Sequence, residues 1–265
     1  MKSAFLFVLL FVGPLIVPAN TFGQLPKQTY VYKCDLSEDL LQLLGVAVSK
    51  NDVSCVRQIL RKGVDPIAYY DGGPSNSPIV VATVSNYPRM IDALCEAGFN
   101  WGSEPAKLAV ALAASNGRII ILERMLHAGM PVDLLGEDGQ TPLMYASVAS
   151  TTATVEFLLK NNADPNAKSL SGLTALMVAS DDELKIKMLL QAGTRINDTD
   201  NMGRTAVFYA LKRSQPKKLK VLLQNKADVN TKDGEGVTPL EFARRLPKAD
   251  PTQRMIAMLL QALAK

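Results

Sequence analysis

The scarcest chemical group in this chain is imidazole: His127 is the single histidine among 265 residues. Mechanisms that need two histidines, HExxH metal sites included, are excluded outright. His127 has no cysteine at metal-ligand spacing and stands near the end of an apolar helical stretch, so it reads as a surface histidine at a helix end. The acidic pairs Asp181-Asp182 and Asp198/Asp200 resemble acid or calcium ligands only in composition. A calcium loop needs oxygen ligands at several fixed positions and a closing Glu, which neither segment has, and both read as solvated turns. The Ser/Thr-rich run 147–154 has no base and no oxyanion loop beside it. No glycine-rich phosphate loop follows a strand. Lys212, Arg213, Lys217, Lys218 and Lys220 form the densest charge in the chain. They would suit an acidic partner surface or an anionic polymer, and a solvated helical face is the reading adopted. No catalytic residue, metal site or cofactor is expected.

The elements that would carry such groups are bounded by composition. With 48% apolar residues the chain is no disordered polymer, and a formal charge of +4 is too small to mark a nucleic-acid binder. One tryptophan and few other aromatics weaken a carbohydrate-cleft or base-stacking reading. Residues 1–23 read as a cleaved export signal: Lys2 starts it, residues 4–17 are apolar apart from Gly13 and Pro14, and Ala19 or Gly23 offers a cleavage point. The apolar run is shorter than the roughly 20 residues of a spanning helix and is broken by Pro14 and Pro18. No membrane span is expected after cleavage. Of three cysteines, Cys95 falls on an apolar helix position and reads as a buried thiol. Cys34 and Cys55 both belong to the N-terminal end and could form one disulfide in an oxidising compartment.

An extended lead-in is expected over 24–36, and from residue 37 a unit repeats. Its clearest copy is GQTPLMYASVASTTATVEFLLKNNADPN, residues 139–166. Thr141 is a good N-cap and Pro142 suits the first helical position. Two short apolar helices follow, and the turn-forming cluster 161–166 closes the unit. Helix starts align at Gln42, Ser77, Leu108, Thr141, Thr174, Thr205 and Thr238. The fifth copy shortens its inter-helix turn at 180–183, and the last lengthens its own through 246–251. Gly63, Gly98, Gly129 and Gly193 end the second helices, where a left-handed residue is wanted; Asn162 and Lys226 stand there in two copies, and Lys226 is expected to reduce stability.

The motifs TPLMYA (141–146), TALMVA (174–179), TAVFYA (205–210) and TPLEFA (238–243), with GVDP (63–66), NADPN (162–166) and KADVN (226–230), resemble the ankyrin repeat. The resemblance covers residues 37–265. It implies an all-α fold, a single curved solenoid of about seven helix-turn-helix repeats with short hairpin connectors. The histidine of the family's TPLH motif is absent, replaced by Met144, Met177, Phe208 and Glu241. Its polar tie to the repeat start is expected to give way to apolar packing.

The family's usual partner site is the groove formed by connectors and first helices. The positions this implies at connector tips are Tyr69, Tyr70, Trp101, Glu137, Asp138, Gln140, Leu170, Asp200, Met202 and Arg204. The fifth position of each first helix adds Tyr145, Tyr209 and Phe242. Trp101 and Tyr69-Tyr70 are the sharpest of these, because turns rarely need large aromatics for packing. The function expected is non-enzymatic protein binding, outside the cytoplasm, by a protein that is monomeric when free. Its partner would be another exported protein, such as a cell-wall peptidase or other periplasmic enzyme, capped and inhibited as by an immunity protein. The alternatives are a secreted effector that binds a host or prey protein, and an envelope scaffold or stress accessory. Neither nucleic acid nor a membrane is an expected partner.

Overall fold

The computed structural model describes residues 33–37, 39–68, 73–149, 151–246 and 250–263. The export signal expected over 1–23, most of the lead-in and the tip holding Tyr69 and Tyr70 lie outside them. Every regular element among the described residues is helical. Two compact units divide between Pro131 and Val132.

The first unit holds three helix pairs: α1 (Leu40–Ser49) and α2 (Val53–Arg61), α3 (Pro78–Val84) and α4 (Pro88–Glu96), α5 (Glu104–Ser115) and α6 (Ile119–His127). First helices stack on first helices and second on second, giving two layers with Leu44, Ile59, Ile79, Ile91, Leu94 and Leu122 buried between them. Two helices begin earlier than the repeat alignment predicts. Asp39 accepts from the N–H of Leu41 and Gln42 and starts α1 ahead of Gln42. Ser103 accepts from Ala106 N–H and starts α5 ahead of Leu108, helped by Glu104 and Pro105 in the first turn. The repeat register survives, with about one extra turn on each helix. A disulfide joins Cys34 to Cys55 and ties the lead-in to α2. Cys95 is half-buried, and burial, with Asp92 and Glu96 nearby, pushes its thiol up to about 12, so it is inert at neutral pH.

The second unit holds four pairs: α7 (Pro142–Ala149) and α8 (Thr152–Lys160), α9 (Ala175–Val178) and α10 (Glu183–Gln191), α11 (Ala206–Lys212) and α12 (Pro216–Gln224), α13 (Pro239–Arg245) and α14 (Asp250–Leu263). Second helices end on left-handed residues, Gly193 at φ 87°, Asn162 at 65° and Lys226 at 62°. The following N–H reaches back five residues to close each last turn, as from Ala163 to Leu158 at 3.1 Å and from Ala227 to Leu222 at 3.0 Å. The final Asp or Asn of each closing motif ties one repeat to the next. Asp133 accepts from Asp164 N–H, Asn166 from Arg195 N–H and Asn197 from Asp228 N–H.

The fifth repeat departs from expectation. Its deletion is taken from the first helix rather than from the inter-helix turn: α9 has four residues, and Ala179 leaves it in an extended conformation. The carbonyls this exposes are met by the next repeat. Lys218 Nζ donates to Met177 O at 2.9 Å and to Ala179 O at 3.0 Å, Arg213 to Val178 O at 2.8 Å, and Gln215 to Ala179 O at 3.2 Å. Lys218 is fully buried and Arg213 half-buried, so the basic cluster is not a solvated face; only Lys212, Lys217 and Lys220 face solvent. Asp181 and Asp182 are caps. Asp182 starts α10, and Asp181 reaches across to accept from Lys218 N–H at 2.7 Å in the first turn of α12.

Candidate protein-interaction surface

In the second unit four connectors adopt one hairpin. The residue at position X donates its N–H to the carbonyl at X+4, and the N–H at X+3 returns to the carbonyl of X, with X being Gly136, Ser169, Asp200 and Asp233. Position X+3 is glycine each time, with φ between 73° and 77°. Successive hairpins bond directly to one another: Leu170 N–H to Asp138 O at 3.2 Å, Asn201 N–H to Ser171 O at 3.1 Å, Gly234 N–H to Met202 O at 2.7 Å. The glycines permit this contact. A Cβ on Gly139 or Gly172 would stand 2.7 Å from the next hairpin's backbone nitrogen, and one on Gly203 3.0 Å. Gly236, in the last hairpin, faces open space.

The side chain at X organises its own hairpin. Asp200 accepts from the N–H of Met202 and Arg204, both at 2.8 Å, and Asp233 from those of Glu235 and Val237, both at 3.0 Å. Tyrosine on the adjoining first helix completes the lock. Tyr209 donates to Asp200 at 2.6 Å. Tyr145 donates to Asp138 at 3.0 Å, and Asp138 also binds the N–H and side-chain amide of Gln140. A Cβ on Gly136 would lie 2.5 Å from the Tyr145 hydroxyl, which is why glycine replaces the acidic residue at that X position. Burial first, and the carboxylate beside it second, push both phenols well above their ordinary value, so both remain donors.

These bonds correct the expected replacement for the missing TPLH histidine. A polar tie to the repeat start exists; the neighbouring tyrosine makes it in two repeats. In the last repeat Glu241 makes it instead, accepting from both the N–H and the hydroxyl of Thr238. Asp200 is therefore a buried strut rather than an exposed tip, and Tyr145 and Tyr209 are half-buried. Phe242 is half-buried too, edge-on to Phe208 at 5.6 Å, with the Arg204 guanidinium 5.9 Å from its ring centroid. Arg204 also lies 3.6 Å from Asp233. Of the expected tip residues, the hairpins present outward Glu137, Leu170 at 72% exposure and Met202 at 51%. Leu170 and Met202 occupy neighbouring tips.

Trp101 belongs to the first unit and, against expectation, does serve packing. Its ring lies 4.8 Å from that of Phe99, and its indole N–H donates to Ala128 O at the end of α6. Tyr69 and Tyr70 fall outside the described residues. Among the described residues no group of three or more His, Cys, Asp or Glu is placed to hold a metal, and no helix is long and apolar enough to cross a membrane.

Paired helices in two layers, joined by hairpins locked from below, define a helical-repeat scaffold whose working surface is its side-chain exterior. The chain belongs to the ankyrin repeat family: the family model for three ankyrin repeats matches residues 100–169 and 164–233, which together span half of it. It is 40% identical over 142 residues to an ankyrin repeat protein of Fowlpox virus, covering 50% of this chain and 42% of that one. It is 24% identical over 215 residues to a palmitoyltransferase of Lachancea kluyveri, covering 77% of this chain and 29% of that one. The chain thus spans less than half the length of these curated relatives. Among solved structures, the ankyrin repeat domain of Bcl-3, a member of the IkappaB protein family, superposes with a TM-score of 0.66 at 23% identity, covering 82% of this chain and 97% of that one. That likeness is one of fold. Ankyrin repeats make this a protein–protein interaction module.

Proposed function

We propose that this protein is exported and binds another exported protein through the hairpin row of its second unit. It caps a periplasmic enzyme such as a cell-wall peptidase and inhibits it stoichiometrically, as an immunity protein does. The observation that carries the binding surface is the pairing of Leu170 and Met202, two large apolar side chains held outward on adjacent tips. The hydrogen bonds beneath them leave little backbone freedom to lose on association, which favours affinity. The bond between Cys34 and Cys55 supports the exported location, because structural disulfides persist in oxidising compartments.

The test is affinity capture from periplasmic extract with native protein and with the Leu170→Asp/Met202→Asp variant, followed by activity assays on whatever enzyme is retained. Native protein should retain a cell-wall hydrolase and suppress it near equimolar ratio. The double variant should weaken capture at least about tenfold, a loss of about 1.4 kcal/mol. Retention of cytoplasmic proteins alone would dismiss the exported partner, and a bound enzyme with undiminished activity would dismiss inhibition.

A further inference from the structure

The second helices of the first unit carry a surface unrelated to the hairpins. An open groove of about 990 Å³ runs between α2 and α4, and Arg57, Arg61 and Arg89 all line it. Its one acidic lining residue, Asp92, is engaged by Arg124 at 3.1 Å. Arg57 is held by Glu96 through two parallel contacts, Nε to Oε2 at 3.2 Å and Nη2 to Oε1 at 3.1 Å. Arg61 and Arg89 bond no carboxylate among the described residues and are exposed. After these pairings cancel, two guanidinium groups remain uncompensated among the described residues on one concave surface.

The chemistry of the remaining lining narrows the occupant. All three cations are arginines, whose planar forks suit bidentate carboxylate or phosphate contacts better than an ammonium does. Arg57 already reads the Glu96 carboxylate in that manner. The amides of Asn51, Gln58 and Asn86 supply acceptors as well as donors. A peptide backbone uses both, through its C=O and N–H groups. Val53 and Pro88 add apolar floor for the methylene stems of acidic side chains. We infer that this groove binds an acidic, extended peptide segment of a protein partner, with Arg61 and Arg89 reading its carboxylates. This interaction is additional to the hairpin row and does not depend on it.

Full-length protein titrated with a fluorescein-labelled oligoglutamate peptide should bind it and should not bind oligolysine. Binding should collapse as salt is raised towards about 1 M, where screening acts within about 3 Å. Arg61→Gln/Arg89→Gln should weaken it at least about tenfold, and Arg61→Lys/Arg89→Lys, which keeps the charge and loses the fork, by less. Both side chains are exposed, so the variants should melt as the native protein does; Leu170→Asp/Met202→Asp should bind the peptide normally. Absent binding, equal binding of oligolysine, or indifference to the Arg→Gln changes would overturn the proposal. So would tighter binding of dextran sulfate with the same arginine dependence, which would assign the groove to anionic polymers.

Discussion

The third residue of each of the first six second helices is almost wholly buried, and its chemistry changes between the two units. In the first unit it is Cys55, Met90 and Ile121; in the second it is Thr154, Lys185 and Lys218. The difference follows from what the first helices leave open. α1, α3 and α5 close their own last turns through backbone N–H groups, as from Asp52 to Ala47, Tyr87 to Ala82 and Arg118 to Ala113. An apolar neighbour then suffices. In the second unit Lys185 donates to Ser147 O at the end of α7 and to the Ser180 hydroxyl, and Lys218 to the carbonyls left by the shortened α9. A buried position in a repeat is not reserved for apolar residues; it must match the polar groups that face it.

The largest expected effect comes from breaking that match. Lys218→Ala removes a fully buried stem and leaves Met177 O unpaired, for a loss of about 4 kcal/mol; Lys218→Met keeps the stem and should cost about 2 kcal/mol. Burial first, and Arg213 second, hold the Lys218 ammonium well below its ordinary value against the pull of Asp181. The unfolded chain therefore binds the extra proton over the interval between the folded value and 10.5, and stability rises with pH across it. Urea titrations of native protein should show that slope, and Lys218→Met should lessen it. Lys185, shifted the same way by burial, adds a slope of the same sign.

The first unit meets its test at Cys55, where the equivalent position carries a covalent bond instead of a cation. Cys34→Ala opens a loop of sequence separation 21, for an expected loss of about 3 kcal/mol by loop entropy. Trp101 is the chain's one tryptophan and lies in this unit, so its emission reports that loss directly. Reductant should lower the native midpoint towards that of the variant and leave the variant unmoved.

The helix pairs were legible in the sequence because their signals are local. Thr-Pro at Thr141 and Thr238 marks a helix start, and glycine at Gly63, Gly98 and Gly129 marks a helix end. The interior of the second unit was not legible, because its partners are remote. Lys218 meets Met177 across 41 residues, and a lysine in a basic run reads as solvated until the carbonyl facing it is known. Asp200 likewise looks like an exposed turn residue, yet it binds two N–H groups and a phenol. Of the candidate surface, Leu170 and Met202 are exposed, whereas Tyr145, Tyr209 and Trp101 all have packing partners that sequence spacing does not reveal.

The hairpin row belongs to the second unit, and Gly172→Ala tests how much stability it carries there. The substitution sets a Cβ 2.7 Å from Asn201 N at φ 77°, so the hairpins must part or the backbone must strain. A loss of about 2 kcal/mol is expected in urea titrations. Gly236→Ala has the same backbone conformation with open space around it and should lose only the conformational part, about 1 kcal/mol. Equal losses at the two positions would remove the packing contribution from the ladder.

The smallest expected effect reverses sign. The first unit places glycine at the ends of all three of its second helices, at φ 87° to 91°, while the second unit accepts Asn162 and Lys226 there at φ 65° and 62°. A left-handed lysine has a Cβ close to its own carbonyl oxygen, a strain of about 1 kcal/mol that asparagine partly offsets through local hydrogen bonding. Lys226 is exposed, so exchanging it loses no core packing. Lys226→Gly should therefore raise stability by up to about 1 kcal/mol, reduced by the larger chain entropy glycine gives the unfolded state. Asn162→Gly should gain less. If Lys226→Gly destabilises instead, the entropy outweighs the strain, and the glycines of the first unit must owe their place to something other than the left-handed turn.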